Sequence, residues 1–217
     1  MILRTTIPPR GCLLFTIEYT DRYIPLVWTQ GAAKKTILDV SLRLFVERGY
    51  EAVGVQEIVE RSGVTKPTLY HHFGSKRGLL DALCNRLSGV LDPVLAAAAG
   101  DGDLSVTLTS LIRALFAVAV TDPREFRLLL LIYHSPAGSP VREAGAGLQS
   151  RFRDGLEALF TRAAEHHGNM EGRARAYTVS LIGTLFAYGL LLVDGEIEMN
   201  DELPYRVMHQ FSHGVYS

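Results

Sequence analysis

VQEIVERSGVTKPTLYHHFGSK, from Val55 to Lys76, decides the architecture of this chain. Val55, Ile58 and Val59 form an apolar stripe at helical spacing. Arg61-Ser62-Gly63 stops that helix, because glycine accepts the left-handed conformation a helix end requires. Thr65 is a good N-cap for the next helix, and Pro67 falls in its first turn, where a missing N–H costs little. Leu69 and Phe73, four residues apart, bury the inner face of this second short helix. Lys66, Thr68, Tyr70, His71 and His72 stay outside, and all of them donate hydrogen bonds. A third helix then starts on the basic Lys76. A short helix with a packed inner face and a donor-rich outer face suits the DNA major groove.

The run Gly63-Val64-Thr65-Lys66-Pro67-Thr68-Leu69-Tyr70-His71-His72-Phe73-Gly74-Ser75-Lys76 resembles the helix-turn-helix of TetR-type transcriptional regulators, whose signature includes GV(S/T)xxTLYxHFxxK. Ile37 to Tyr50, ILDVSLRLFVERGY, is similar to that family's first helix and its glycine-aromatic exit. The specific likeness spans residues 31–87. Two positions depart from the pattern. The helix opening at Val55 usually carries a Ser or Thr cap, whereas Val53 and Gly54 stand here, so no hydroxyl is offered to a phosphate. Val59 replaces an alanine common after the buried isoleucine.

The net charge of −1 hides an asymmetry. Residues 31–80 carry eight Lys/Arg against five acids, whereas residues 81–217 hold eleven arginines, no lysine and sixteen acids. A basic module on an acidic body fits one end placed on nucleic acid and the other kept off it. The 217 residues, 47% of them hydrophobic, are ample for a core. Cys12 and Cys84 are far apart and in no metal-binding spacing, as in a reducing cytoplasm. Residues 1–30 hold one short apolar run, Cys12 to Ile17, with no signal-peptide cleavage pattern, and read as a poorly ordered arm or a start codon placed too far upstream. Ala176 to Val193 runs 18 residues without a charge, near the length of a membrane span. Its Thr, Ser, Tyr and Gly residues favour a helix buried in a core and a subunit interface together.

The remainder reads as helix after helix. The expected spans are Ser75 to about Ala99, bent or broken near Asp92-Pro93; Ser105 to Val120; Arg124 to His134; one long helix from Val141 to His167; Glu171 to Val193; and Pro204 to about Gly214. The fold expected is therefore all-α, in three parts. These are an arm (1–30), an N-terminal three-helix helix-turn-helix DNA-binding domain (31–87) and a helical ligand-binding and dimerisation domain (88–217).

The resemblance implies how these parts work. Lys66, Pro67 and Thr68 read bases, while Thr65, Tyr70, His71 and Lys76 bind phosphates. Lys34, Lys35 and Thr36 at the start of the first helix, with Gly54 and Val55 at the start of the second, complete the DNA-binding set. TetR-type proteins dimerise through their last two helices, which makes Gly183, Phe186, Ala187, Leu190, Val207, Met208 and Phe211 the candidate seam. A homodimer then addresses a palindromic operator in double-stranded DNA, with half-sites about one helical turn apart. The body is expected to enclose a small apolar or aromatic effector of unknown identity. Its candidate walls are Leu111, Leu115, Phe116, Phe126, Leu129, Leu130, Tyr133, His134, Phe152, Leu156, Tyr177, Leu181, Phe186 and Tyr188. Most of these read more readily as plain core. Arg113, the one charge inside its helix, reads as solvated.

The function expected is a cytoplasmic, ligand-responsive regulator, a repressor released from its operator, with no cofactor and no membrane partner. The alternative is a regulator acting mainly through protein partners, or as an activator, with weak DNA binding. An enzyme is disfavoured: the chain has no glycine-rich phosphate loop, no Gly-x-Ser-x-Gly elbow and no nucleophile paired with a base. His209 and His213 have metal-ligand spacing, but Gln210 stands where a metalloprotease helix carries glutamate, and no third ligand is identifiable, so no metal is expected.

Overall fold

Glycine and hydroxyl caps set the N-terminal helices where the local sequence predicts them. The computed structural model describes residues 30–100 and 102–214, so the arm and Cys12 lie outside the described residues. Helix α1 spans Gln30–Arg48, α2 Val55–Ser62 and α3 Lys66–Phe73. Gly63 ends α2 at φ 66°, and the Gly63 and Val64 N–H groups donate to the Glu60 and Val59 carbonyls. These bonds satisfy carbonyls that the last helical turn leaves open. The Thr65 hydroxyl caps α3 by accepting from the Thr68 N–H at 3.4 Å. Ile58, Leu69 and Phe73 are buried with Ile37 and Phe45 of α1.

Helix α4 (Lys76–Ala98) starts on the Ser75 cap, whose hydroxyl accepts from the Gly78 N–H at 2.9 Å. Pro93 does not end it. Leu91 and Val94, on either side, are both buried, and that packing carries the helix through the missing donor. The domain boundary expected at residue 87 therefore falls inside a continuous helix shared by head and body.

In the body, α5 (Leu104–Thr121) packs against α4, α6 (Pro123–His134), α9 (Ala174–Asp194) and α10 (Leu203–His213). Leu108, Leu111, Ile112, Leu115 and Phe116 give it a wholly buried face. The helix expected from Val141 to His167 is two helices, α7 (Pro140–Ala144) and α8 (Ala146–His166). The break is at Gly145, where a Cβ would stand 2.2 Å from the Ile132 Cγ2 of α6. Periodicity could not show that a neighbour in space admits only glycine there. Gly145→Ala should therefore destabilise by about 1–3 kcal/mol through overpacking, read as a lower urea midpoint with an unchanged slope. A 3-10 turn at Gly168–Met170 delays the start of α9 to Ala174.

Helices α5 and α9 are long and apolar enough to cross a membrane by length and composition alone. Within the chain α9 buries one face, including Leu181, Leu185 and Phe186. Its opposite face leaves Val179, Gly183, Ala187 and Leu190 exposed. Cys84 is buried, and burial pushes its thiol up to about 12, which makes it a packing residue rather than a nucleophile.

Candidate nucleic-acid interface

The outward side of α3 gathers the predicted reading residues. Lys66 and Pro67 occupy the first turn and are exposed, with Thr65 exposed before them. Thr68 is half-buried, and its hydroxyl lies 2.9 Å from the Thr65 hydroxyl, so each restrains the other. Tyr70 is 46% exposed, so its ring stands on the outward side of the helix. His71 is exposed and His72 half-buried, their rings edge to face at 5.3 Å. Leu69 and Phe73 hold the opposite side of α3 in the core, which fixes how far the outer edge stands proud.

Lys76 has a partner the local sequence does not reveal. Its ammonium stands 4.1 Å from the centroid of the Tyr50 ring, a cation–π contact that aims the side chain. Burial lowers its pKa, with Glu51 acting the other way. Tyr50, itself edge to face with Phe45 at 5.1 Å, is thus a support for the interface. Only its glycine-aromatic setting signalled it in the sequence.

The remaining predicted contacts are less uniform. Helix α1 begins at Gln30, so Lys34, Lys35 and Thr36 lie in its second turn rather than at its start. Lys34 is exposed; Lys35 pairs with Asp39 at 2.8 Å; the Thr36 hydroxyl donates to the Ala32 carbonyl at 2.9 Å. Gly54 caps α2 with no side-chain bond, and Val55 packs partly against the core. Glu57 joins Arg48 and Arg61, bracing α2 against the end of α1.

Of the candidate effector walls, Leu111, Leu115, Phe116, Phe126, Leu129, Phe152, Leu156 and Leu181 are buried in one continuous core. Leu130, Tyr133, Tyr177 and Tyr188 are half-buried, and His134 is exposed with its Nδ1 2.8 Å from the Leu130 carbonyl. Tyr133 meets Phe186 edge to face at 4.8 Å and donates to the Gln149 carbonyl at 3.4 Å. Burial pushes its phenol up to about 12, so it stays a donor. Arg113 turns outward and donates to the Asp201 carbonyl at 3.1 Å.

The candidate seam divides. Gly183, Ala187 and Leu190 are exposed, and Phe211 is half-buried; Phe186, Val207 and Met208 are buried within the chain. Tyr188 donates to the Gln210 side chain at 2.8 Å, joining α9 to α10 along a groove of about 490 Å³. On α10 the His209 and His213 rings lie 4.3 Å apart.

Residues 37–83 match the family described as bacterial regulatory proteins, tetR family. The HTH-type transcriptional activator FasR of Mycolicibacterium smegmatis is 35% identical over 94 residues, 43% of each chain, so the match spans less than half of that protein. YvkB of Bacillus subtilis, an HTH-type transcriptional regulator, is 27% identical over 176 residues, 77% of this chain and 88% of YvkB. The solved structure of the transcriptional regulator FadR from Bacillus subtilis, in complex with stearoyl-CoA, superposes with a TM-score of 0.69 at 17% identity. That alignment covers 84% of this chain and 99% of FadR. Motif, fold and relatives agree: residues 37–83 are a tetR-family DNA-binding domain, and the chain as a whole is similar to helix-turn-helix transcriptional regulators.

Proposed function

We propose that this regulator works as a cytoplasmic homodimeric repressor that leaves a palindromic operator when the apolar or aromatic part of an effector enters its body. The exposed first turn of α3, backed by buried Leu69 and Phe73, carries the reading. It presents one cation and several hydroxyl and ring donors on a helix narrow enough for the major groove. The exposed small residues Gly183 and Ala187 on α9 support a seam in which two copies approach closely. The effector region is apolar and aromatic, with Tyr133 a half-buried donor at its edge. FadR of Bacillus subtilis is described with stearoyl-CoA, which makes a long acyl chain carried on coenzyme A the first effector class to test.

The test begins with site selection by the purified protein from random duplex DNA, followed by anisotropy titrations at rising salt. A recovered palindrome, bound far more tightly than scrambled DNA at physiological salt, is the expected result. Stearoyl-CoA should then release the DNA and raise the melting temperature in proportion to the logarithm of its concentration. Recovery of no sequence, at any salt, would overturn the reading and favour a regulator that acts through protein partners. Release of DNA by no acyl-CoA would remove the effector class alone.

A further inference from the structure

We infer that Arg86 is a positioning residue for DNA recognition: by joining Asp39 of α1 to buried Glu125 of α6, it sets the angle between the DNA-reading head and the body. The inference rests on residues 31–87 being that head.

Arg86 lies on α4 where head becomes body. Its Nη1 donates to Asp39 Oδ1 at 2.7 Å, and its Nε stands 2.6 Å from Glu125 Oε1. The second Asp39 oxygen accepts from Lys35 at 2.8 Å. Charges therefore alternate from Lys35 to Asp39, Arg86 and Glu125 across three helices. The Arg86 and Asp39 side chains are partly exposed, whereas that of Glu125 is 5% exposed.

A carboxylate taken this far out of water is costly unless a cation accompanies it. Burial raises the Glu125 pKa, and Arg86 acts in the opposite direction. The contact is close enough for ion pairing but poorly directed, since neither Arg86 Nε nor Glu125 Oε2 has an aligned hydrogen-bond partner. Such a pair adds little net stability compared with apolar packing, and its use is to select one geometry over others. The surroundings agree. A groove of about 600 Å³ runs beside the pair, lined by Leu42 and Val90 as well as the charged residues. On that side the junction is tied by charge rather than filled by side chains. A second tie, Arg77 of α4 to Glu143 of α7 at 3.3 Å, is exposed and therefore weaker.

Two variants separate positioning from folding. Asp39→Asn cuts only the link to the head. The double variant Arg86→Met, Glu125→Met removes both charges of the buried pair and strands neither. Full-length chains carrying Cys12→Ser, Ala52→Cys on the head and Val106→Cys on the body are spin-labelled and diluted with unlabelled chain. Distances are then measured by pulsed electron spin resonance. With helical content retained, both variants should broaden or shift the head-to-body distance distribution. On the palindrome selected by the wild-type protein, affinity should fall roughly tenfold. The same duplex with one half-site scrambled should be bound as by the wild type.

Distance distributions that match the wild type in both variants would overturn the proposal. So would an equal loss on the intact and half-scrambled duplexes, which marks damage to the head itself. If the wild type selects no DNA site, the DNA-reading proposal fails, while the distance measurement still decides the role of Arg86.

Discussion

Phe126→Ala will cost about 3–5 kcal/mol of stability, the usual price of truncating a fully buried aromatic ring. Phe126 has no exposed surface and meets Phe186 edge to face, with ring centroids 6.4 Å apart. The tip of its ring enters a notch in α9 made by Gly189, where a Cβ would lie 2.0 Å from Phe126 Cζ. Removing the ring leaves a void that α9 has no side chain to fill, so the transfer loss and the cavity cost add. The melting temperature should fall by about 10 °C for a chain of this size. Val106→Ala, at a position 64% exposed, should change stability by less than about 0.5 kcal/mol. Both variants need comparison at one chain concentration, because self-association would make apparent stability depend on it. A Phe126→Ala melting curve overlapping the wild type would show that the core between α6 and α9 relaxes into the space. That relaxation would favour these helices as the place where an effector enters.

Lys66→Ala and Tyr70→Phe should damage DNA binding in different ways. Lys66 is exposed in the first turn of α3, where a lysine reaches the O6 and N7 edge of guanine. Its loss should reduce discrimination at one base pair of each half-site by about 1–3 kcal/mol. Tyr70, 46% exposed, offers a hydroxyl suited to a phosphate. Its removal should weaken binding to every sequence alike and leave the salt dependence unchanged, because no counterion-releasing charge is lost. A substitution scan of the selected palindrome, repeated at several salt concentrations, separates the two. If Lys66→Ala keeps the base profile and instead lowers the slope of log K on log salt by about 0.9, Lys66 contacts a phosphate and another residue reads the bases.

The helix-turn-helix was legible because its determinants are local. Gly63 closes α2, Thr65 opens α3, Ser75 opens α4, and Leu69 and Phe73 are the inner face of a two-turn helix. Each acts within about four residues of its own position, so residue order specifies it almost alone. The outer face of α3 follows from the same periodicity, once the inner face is known. Lys76 shows where that logic stops. Its place at the start of α4 is local, but the Tyr50 ring beneath it is brought there by the packing of α1.

In the body the decisive facts are contacts between residues distant in the chain. One continuous helix from Val141 to His167 is what periodicity supports; the structure divides it at Gly145, where Ile132 of α6 leaves no room for a side chain. The apolar run from Ala176 to Val193 marks a helix, but only packing assigns Phe186 to the core and leaves Gly183, Ala187 and Leu190 outside. The same holds for Val207 and Met208, which the chain's own core takes up. Nothing near Arg86 in the sequence points to Asp39 or Glu125, since ion pairs between helices carry no periodic signature. Residue order alone specifies an all-helical chain with a helix-turn-helix head, because caps, turns and apolar spacing act over a few residues. Which apolar residues stay exposed, and how the head is tied to the body, depends on which helices meet, and that is settled between residues far apart in the chain.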